Sequence, residues 1–243
     1  AVIATELGKV VSKETKIDIL VTPLVTIGSG VAVSALLAPT LGAIAMKVGD
    51  LIMLATNLQP FWMGIAVSVL VGVALTLPIS SAAICAAFGL TGLAGGAAVA
   101  GCCAQMVGFA VMSFRENKWG GLVSQGIGTS MLQMGNIIKN PRIWIAPIVT
   151  SAITGPLATC LFKLQMNGTP VSSGMGTCGL VGQIGVYTGW MNDIEAGTKS
   201  AVTAIDWIGL ILISFVLPAV LCPLINMVVR KLGWVKDGDM TLS

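Results

Sequence analysis

The chain has 243 residues, of which 55% are hydrophobic and only 9% charged, and its net charge is +3; the mean hydropathy is +0.93. A soluble domain carries about 25% charged residues, so this composition excludes a water-soluble globule, whose helices need charged outer faces. The basic residues stand at the ends of apolar segments rather than in a patch, which excludes nucleic acid as a partner and points to anchoring in a lipid bilayer.

Residues 1–18 mix Glu6, Lys9, Lys13, Glu14, Lys16 and Asp18 with apolar positions and read as the end of an earlier helix followed by a surface loop. The chain opens Ala1-Val2-Ile3, with no initiator Met and no signal-peptide layout, so it is expected to extend further toward the N-terminus. A first membrane span is predicted from Ile19 to Met46, with Pro23 near its start and a kink at Pro39. Lys47 and Asp50 then mark a water-facing turn. From 51 to 114 there is no Lys, Arg, Asp or Glu, which is long enough for roughly three crossings of about 20 residues each. The part from Phe61 to Phe114 is rich in Gly, Ala and Ser, residues that let helices approach closely in lipid.

Arg115-Glu116-Asn117-Lys118 is the next polar break. Gln125, Gln133, Asn136 and Lys139 among aliphatic residues then predict an amphipathic helix over 119–140, lying at the membrane interface with Trp119 as an anchor. A third clear span follows from Ile143 to Phe162. The uncharged, Gly-rich segment 168–189 predicts a re-entrant hairpin, because broken backbone at membrane depth must line a cavity or be buried in protein. Asn192 to Lys199 is a polar turn, and a last span runs from Ala204 to Val229. The positive-inside rule places Arg115, Lys118, Lys139, Arg142, Arg230, Lys231 and Lys236 on the cytoplasmic side. The fold class is therefore all-α, a single polytopic domain over 1–243 with about six spans.

Two pairs of segments echo each other. Ile19-Leu20-Val21-Thr22-Pro23-Leu24-Val25-Thr26 returns as Ile143-Trp144-Ile145-Ala146-Pro147-Ile148-Val149-Thr150, and Pro78-Ile79-Ser80-Ser81 returns as Pro170-Val171-Ser172-Ser173. The offsets differ, so either a duplication or the limited alphabet of an apolar chain accounts for them. If duplicated, the arrangement is that of transporters, which bind solute where interrupted helices of two repeats meet. Pro followed by two Ser suits the start of a half-helix, whose free N–H groups and positive dipole end face a ligand. Equally, Ser80, Ser81, Ser172 and Ser173 can bond to their own helix backbone. Gln183 and Tyr187 are four apart and share a face if that stretch is helical.

The Thr22-Pro23-Leu24-Val25-Thr26 segment, Pro78-Ile79-Ser80-Ser81, and Thr169-Pro170-Val171-Ser172-Ser173-Gly174-Met175-Gly176 together resemble the membrane subunit IIC of the bacterial phosphotransferase system, and within it the perfringolysin-regulator-like branch. The resemblance implies a carbohydrate permease of the bacterial cytoplasmic membrane, forming a homodimer, whose sugar is phosphorylated by a separate IIB component. Charged product cannot recross the bilayer, so uptake becomes one-way. On this reading the solute meets Ser172, Ser173, Gly174, Thr177, Gln183 and Tyr187, with Ser80, Ser81, Asp193 and Glu195 also near the path. Members of the family place a His and a Glu near the sugar, whereas this chain has no His and no acidic residue within 168–189. A solvated turn is the plain account of Asp193 and Glu195. Asp206, at the head of the last span, is the most membrane-embedded ionisable candidate, with a helix start at the interface as its plain account.

No cofactor, metal or catalytic residue is expected. The six cysteines, Cys85, Cys102, Cys103, Cys160, Cys178 and Cys222, lie in apolar stretches with no CxxC pair and read as small buried hydrophobes. An alternative reading is a membrane-embedded regulator that keeps the IIC fold without sugar phosphorylation. A cation channel lacks intramembrane carboxylates, and an enzyme lacks a base–nucleophile pair.

Overall fold

The computed structural model describes Glu6, Lys9 and residues 18–242, so the expected helix end and loop over 1–18 lie almost wholly outside the described residues. Two compact units emerge, Ala1–Lys47 and Val48–Ser243. In the first, helix α1 (Asp18–Leu58) begins, and it carries Pro23 and Pro39 inside. Thr26 and Ser29 donate their hydroxyls to Thr22 O at 2.7 Å and Val25 O at 2.6 Å, the back-bonding typical of Ser and Thr within helices. Leu24, Ile27 and Val31 of this unit are exposed. The turn expected at Lys47 and Asp50 is not formed: backbone helix continues through both to Leu58. An isolated charge pair does not break a helix unless Gly or Pro does, and Pro60 supplies the stop.

The second unit is built around one helix. After α2 (Pro60–Thr76), α3 (Ser81–Phe88) and α4 (Gly92–Met112), the chain makes α5 (Phe114–Val123) and α6 (Met134–Lys139), then α7 (Pro141–Leu161), α8 (Val181–Glu195) and α9 (Ala204–Lys231). Helix α4 is the axis, buried along nearly its whole length, with α2, α7 and α9 packed around it. Its Gly- and Ala-rich sequence explains this position, since a slender helix admits neighbours on every side. Gly64, Ser68 and Gly72 recur every fourth residue on α2, facing Gly101 of α4 and Gly155 of α7. Ser68 Oγ donates to Ser151 O across that contact at 2.7 Å. Strands are absent among the described residues; a single antiparallel bridge joins Gly92 and Met166.

The chain is thus an all-α membrane protein. Among the described residues, α4, α7 and α9 are long and apolar enough to cross a bilayer, and Val21–Ala32 and Pro60–Thr76 are shorter apolar helices. The uncharged block 51–114 therefore yields one helix long enough to span, α4, and the shorter α2, with α3 between them. Eight residues of helix reach only about 12 Å, too little to span. In α9 the backbone passes through a π-helical turn over Leu212–Val216. Pro218 lacks the N–H that would have bonded back to Ser214 O, which loosens the ladder there.

Across 119–140 one amphipathic helix is expected, but the chain breaks into α5, a π-helical turn at Ser124–Gly128, a 3₁₀ turn at Ser130–Gln133, and α6. Gly120, Gly121, Gly126 and Gly128 weaken helix there, and Lys118 sits at φ 52°. Gln125 and Gln133 are fully buried rather than turned to water. Gln133 Nε2 donates to Gln125 Oε1 at 2.9 Å and to Met240 O at 3.0 Å. Gln125 Nε2 donates in turn to Ser113 Oγ at 2.9 Å.

Candidate functional site

The two Pro-x-Ser-Ser segments meet. Helix α2 ends at Thr76, and the chain turns through Pro78 so that Ser80 caps α3, accepting from Ala83 N at 3.1 Å. Ser81, next in line, is buried and donates to Gly174 O at 2.7 Å. Pro170–Ser173 form one helical turn, followed by an irregular path through Gly176 and Gly179, both at positive φ. Gly174 is required by this contact, because a Cβ there would lie 2.5 Å from Ser81 O. Beside the junction, Gly92 and Met166 exchange both backbone hydrogen bonds at 3.0 Å. The interrupted segment before α4 is therefore tied to the one after α7 by backbone and hydroxyl bonds.

Most hydroxyls of the expected site are engaged by protein. Ser172 Oγ shares a 2.9 Å bond with Thr169 Oγ1, Ser173 Oγ donates to Pro170 O at 2.7 Å, and Thr177 Oγ1 donates to Gly126 O at 2.5 Å. Gln183 and Tyr187 both lie on α8 but diverge. Gln183 Nε2 reaches Cys103 Sγ of α4 at 3.3 Å, while its Oε1 is buried without a partner. Tyr187 is 43% exposed, with its ring 5.8 Å from that of Trp207. Glu195 is exposed at the C-terminal end of α8.

Asp193 and Asp206 come together across a cavity of about 430 Å³. Its walls are Lys163, Leu164, Gln165 and Asn167 from the loop after α7, Trp190 and Asp193 from α8, Thr198 and Lys199 from the next turn, and Asp206 from α9. Helix α8 runs on to Glu195, past the polar turn expected from Asn192, and this carries Asp193 to the cavity wall. Asn167 Nδ2 donates to Asp193 Oδ1 at 3.0 Å and Oδ2 at 2.8 Å. Asp206 closes a capping box with Thr203 at the start of α9, as its helix-start position suggests. Its Oδ2 also receives Lys199 Nζ at 2.8 Å and Thr203 N at 2.8 Å, whereas Oδ1 has no partner among the described residues. Lys199 Nζ lies 5.4 Å over the Trp190 ring, within cation–π range, and Trp190 meets Trp207 edge-on at 5.3 Å.

Ligand sites of about 300–1,000 Å³ with a few fixed polar groups are the usual size for small molecules. Here carboxylates, amides, ammonium groups, a hydroxyl and an indole share one cavity, a set that pairs with the many donors and acceptors of a polyhydroxylated solute. Sequence reasoning named Asp193 as a site candidate and weighed Asp206 as an embedded carboxylate against a helix start, but singled out none of Lys163, Gln165, Asn167, Trp190, Thr198 or Lys199. Lys163 and Lys199 read as ordinary segment ends. The signal that marks Lys163 is its position, directly after the uncharged span Ile143–Phe162; Lys199 carries no comparable signal.

Neither the curated proteins nor the solved structures include a match to this chain. A family model described as "Phosphotransferase system, EIIC" matches residues 1–242. The chain accordingly belongs to the EIIC family, the membrane component of the sugar phosphotransferase system.

Proposed function

We propose that the chain is a permease that moves a sugar across the bacterial cytoplasmic membrane for phosphorylation by a separate IIB component, and that it works as a homodimer. The observation that carries this reading is the polar cavity of about 430 Å³ at the ends of α7, α8 and α9. Lys163 follows the last turn of α7 and Asp206 stands in the first turn of α9. Arg142 and Arg230 mark the opposite ends of the same two helices. With the basic end cytoplasmic, the cavity is the outer mouth. Asp193, Asp206 and Asn167 accept and donate to sugar hydroxyls there, and Lys163 and Gln165 complete the rim. The hairpin 168–189 forms the inner wall of the path, where Gln183 Oε1, buried and unpartnered, is the first acceptor beyond the mouth. Ser172, Ser173 and Thr177 hold that hairpin in shape.

A panel of radiolabelled sugars tested against the protein in proteoliposomes examines the reading. One sugar of the panel is expected to bind, and Asp193→Asn is expected to weaken it about tenfold or more, as loss of a hydrogen bond to a charged group does. Absence of binding by every sugar sinks the permease reading. Binding that ignores Asp193→Asn sinks the cavity assignment alone.

A further inference from the structure

A second cavity, of about 110 Å³, opens between the last turns of α4 and α9, with Arg115, Pro223, Asn226, Met227 and Arg230 among its walls. Asn226 is 5% exposed, and its Oδ1 is buried with no hydrogen-bond partner. Leaving a buried acceptor unsatisfied is costly, so such a group implies a donor that the protein itself does not supply. Arg230 is neutralised by Glu116 at 2.9 Å and by Asp237. Arg115 is exposed and has no ion pair or hydrogen-bond partner among the described residues. The cavity thus offers one uncompensated cation beside one unfilled acceptor.

Val111 lines this cavity and also a larger one of about 240 Å³. The larger space is almost wholly apolar, with Val107, Ala110, Leu122, Ile127 and Phe215 among its walls. The two cavities share the wall residue Val111. Val107 and Val111 are four apart on one face of α4, and Arg115 follows in the first turn of α5. On α9 the distance from Phe215 to Asn226 is about 16 Å along the axis. An apolar slot of that reach adjoining a cation and a buried acceptor at Val111 matches one kind of molecule. We propose that this groove is a site for an anionic phospholipid, with an acyl chain in the slot, the phosphodiester on Arg115 and a headgroup hydroxyl donating to Asn226 Oδ1. A soluble anion uses Arg115 but gains nothing from the slot, and a neutral sugar has no use for either.

Native mass spectrometry of the delipidated full chain tests the site, with phosphatidylglycerol, phosphatidylcholine and inorganic phosphate as separate additions. One phosphatidylglycerol is expected to be retained, with phosphatidylcholine held about fivefold more weakly and inorganic phosphate neither binding nor competing. Arg115→Gln is expected to weaken phosphatidylglycerol about fivefold without changing the thermal unfolding of the lipid-free protein. Ile127→Trp, at an exposed position that fills the slot, is expected to weaken both lipids. Equal retention of phosphatidylglycerol by Arg115→Gln and the unaltered chain overturns the proposal. Competition by inorganic phosphate also overturns it, because the site then takes a free anion.

Discussion

At Gly101 the smallest side chain decides a helix crossing. A Cβ added there would collide with the backbone of Ser68, whereas one added at Gly120 meets nothing within 4 Å. Backbone on α2 cannot move aside as a flexible side chain can. Gly101→Val is therefore expected to destabilise the protein by about 3 kcal/mol, and Gly120→Ala to be neutral or stabilising by up to about 1 kcal/mol. Gln105 offers a second comparison within the same helix. It is fully buried and its Oε1 accepts from Trp144 Nε1 at 2.9 Å and Thr76 Oγ1 at 3.3 Å. Interhelical hydrogen bonds in membranes average about 0.6 kcal/mol, so Gln105→Leu is expected to cost less than Gly101→Val, about 1 kcal/mol. Unfolding of the variants in mild detergent checks the order, and a larger loss from Gln105→Leu would contradict it. Residue chemistry of this kind was partly legible in the sequence. The abundance of Gly and Ala foretold close packing, but not which glycine faces which backbone. The serines of the two echo segments were legible as helix-start residues, and Ser80 is one. That Ser81 instead bridges to Gly174 depends on a contact between distant parts of the chain that no local pattern encodes.

Between elements, the C-terminal strap, residues 232–242 after α9, gathers the polar breaks of the chain. Asn117 Nδ2 donates to Met240 O at 2.8 Å, Asn117 Oδ1 accepts from Leu242 N at 2.8 Å, and Asn140 Nδ2 donates to Trp234 O at 2.9 Å. Met240 is fully buried by this arrangement. Asp239 pins the strap: its carboxylate accepts from Lys236 N at 2.9 Å and Asn140 Nδ2 at 2.9 Å. The Lys236 N–H holds the Asp239 carboxyl below its ordinary value; partial burial opposes this, and the Asn140 amide and the charges of Lys236 and Arg230 add to the lowering. A carboxyl lowered in the folded state stabilises it above the unfolded value of about 3.9, and that contribution disappears as pH falls through the lower folded value. The protection of the Lys236 and Asp239 amides against exchange, taken relative to the unfolded chain at each pH, is therefore expected to fall on acidification below about pH 4, and Asp239→Asn to lower it already at neutral pH. Exchange in the Asp239→Asn variant that matches the unaltered chain would contradict this role. The strap explains why 119–140 misled sequence reasoning. Glutamines on an aliphatic background look like a water-facing stripe, but here Gln125 and Gln133 are spent inward on Ser113 and on the strap. The two long spans Ile143–Phe162 and Ala204–Val229 were legible nearly to the residue, because uncharged length and terminal Lys or Arg are local properties. Helix α3 and the hairpin turn were legible only as breaks.

At the scale of the whole molecule, charge is sorted to the two ends of the helices. Arg115, Arg142 and Arg230 gather with the strap at one end, where Arg142 lies 5.4 Å over the Trp234 ring. Lys163, Asp193, Lys199 and Asp206 enclose the polar cavity at the other. The apolar composition foretold the membrane, and the Pro-x-Ser-Ser motifs carried the family. The cavity itself was not legible, since it is assembled from a loop, a helix end and a helix start that lie far apart in sequence. No His stands beside the proposed path because the chain contains none, so the proposed sugar recognition rests on carboxylates, amides and lysines. The most direct measurement is uptake of a radiolabelled sugar into vesicles containing the protein, with and without the IIB component and a phosphoryl donor. The account predicts sugar phosphate accumulating inside only when IIB is supplied. Accumulation that proceeds equally without IIB, or none in its presence for any sugar, would contradict it.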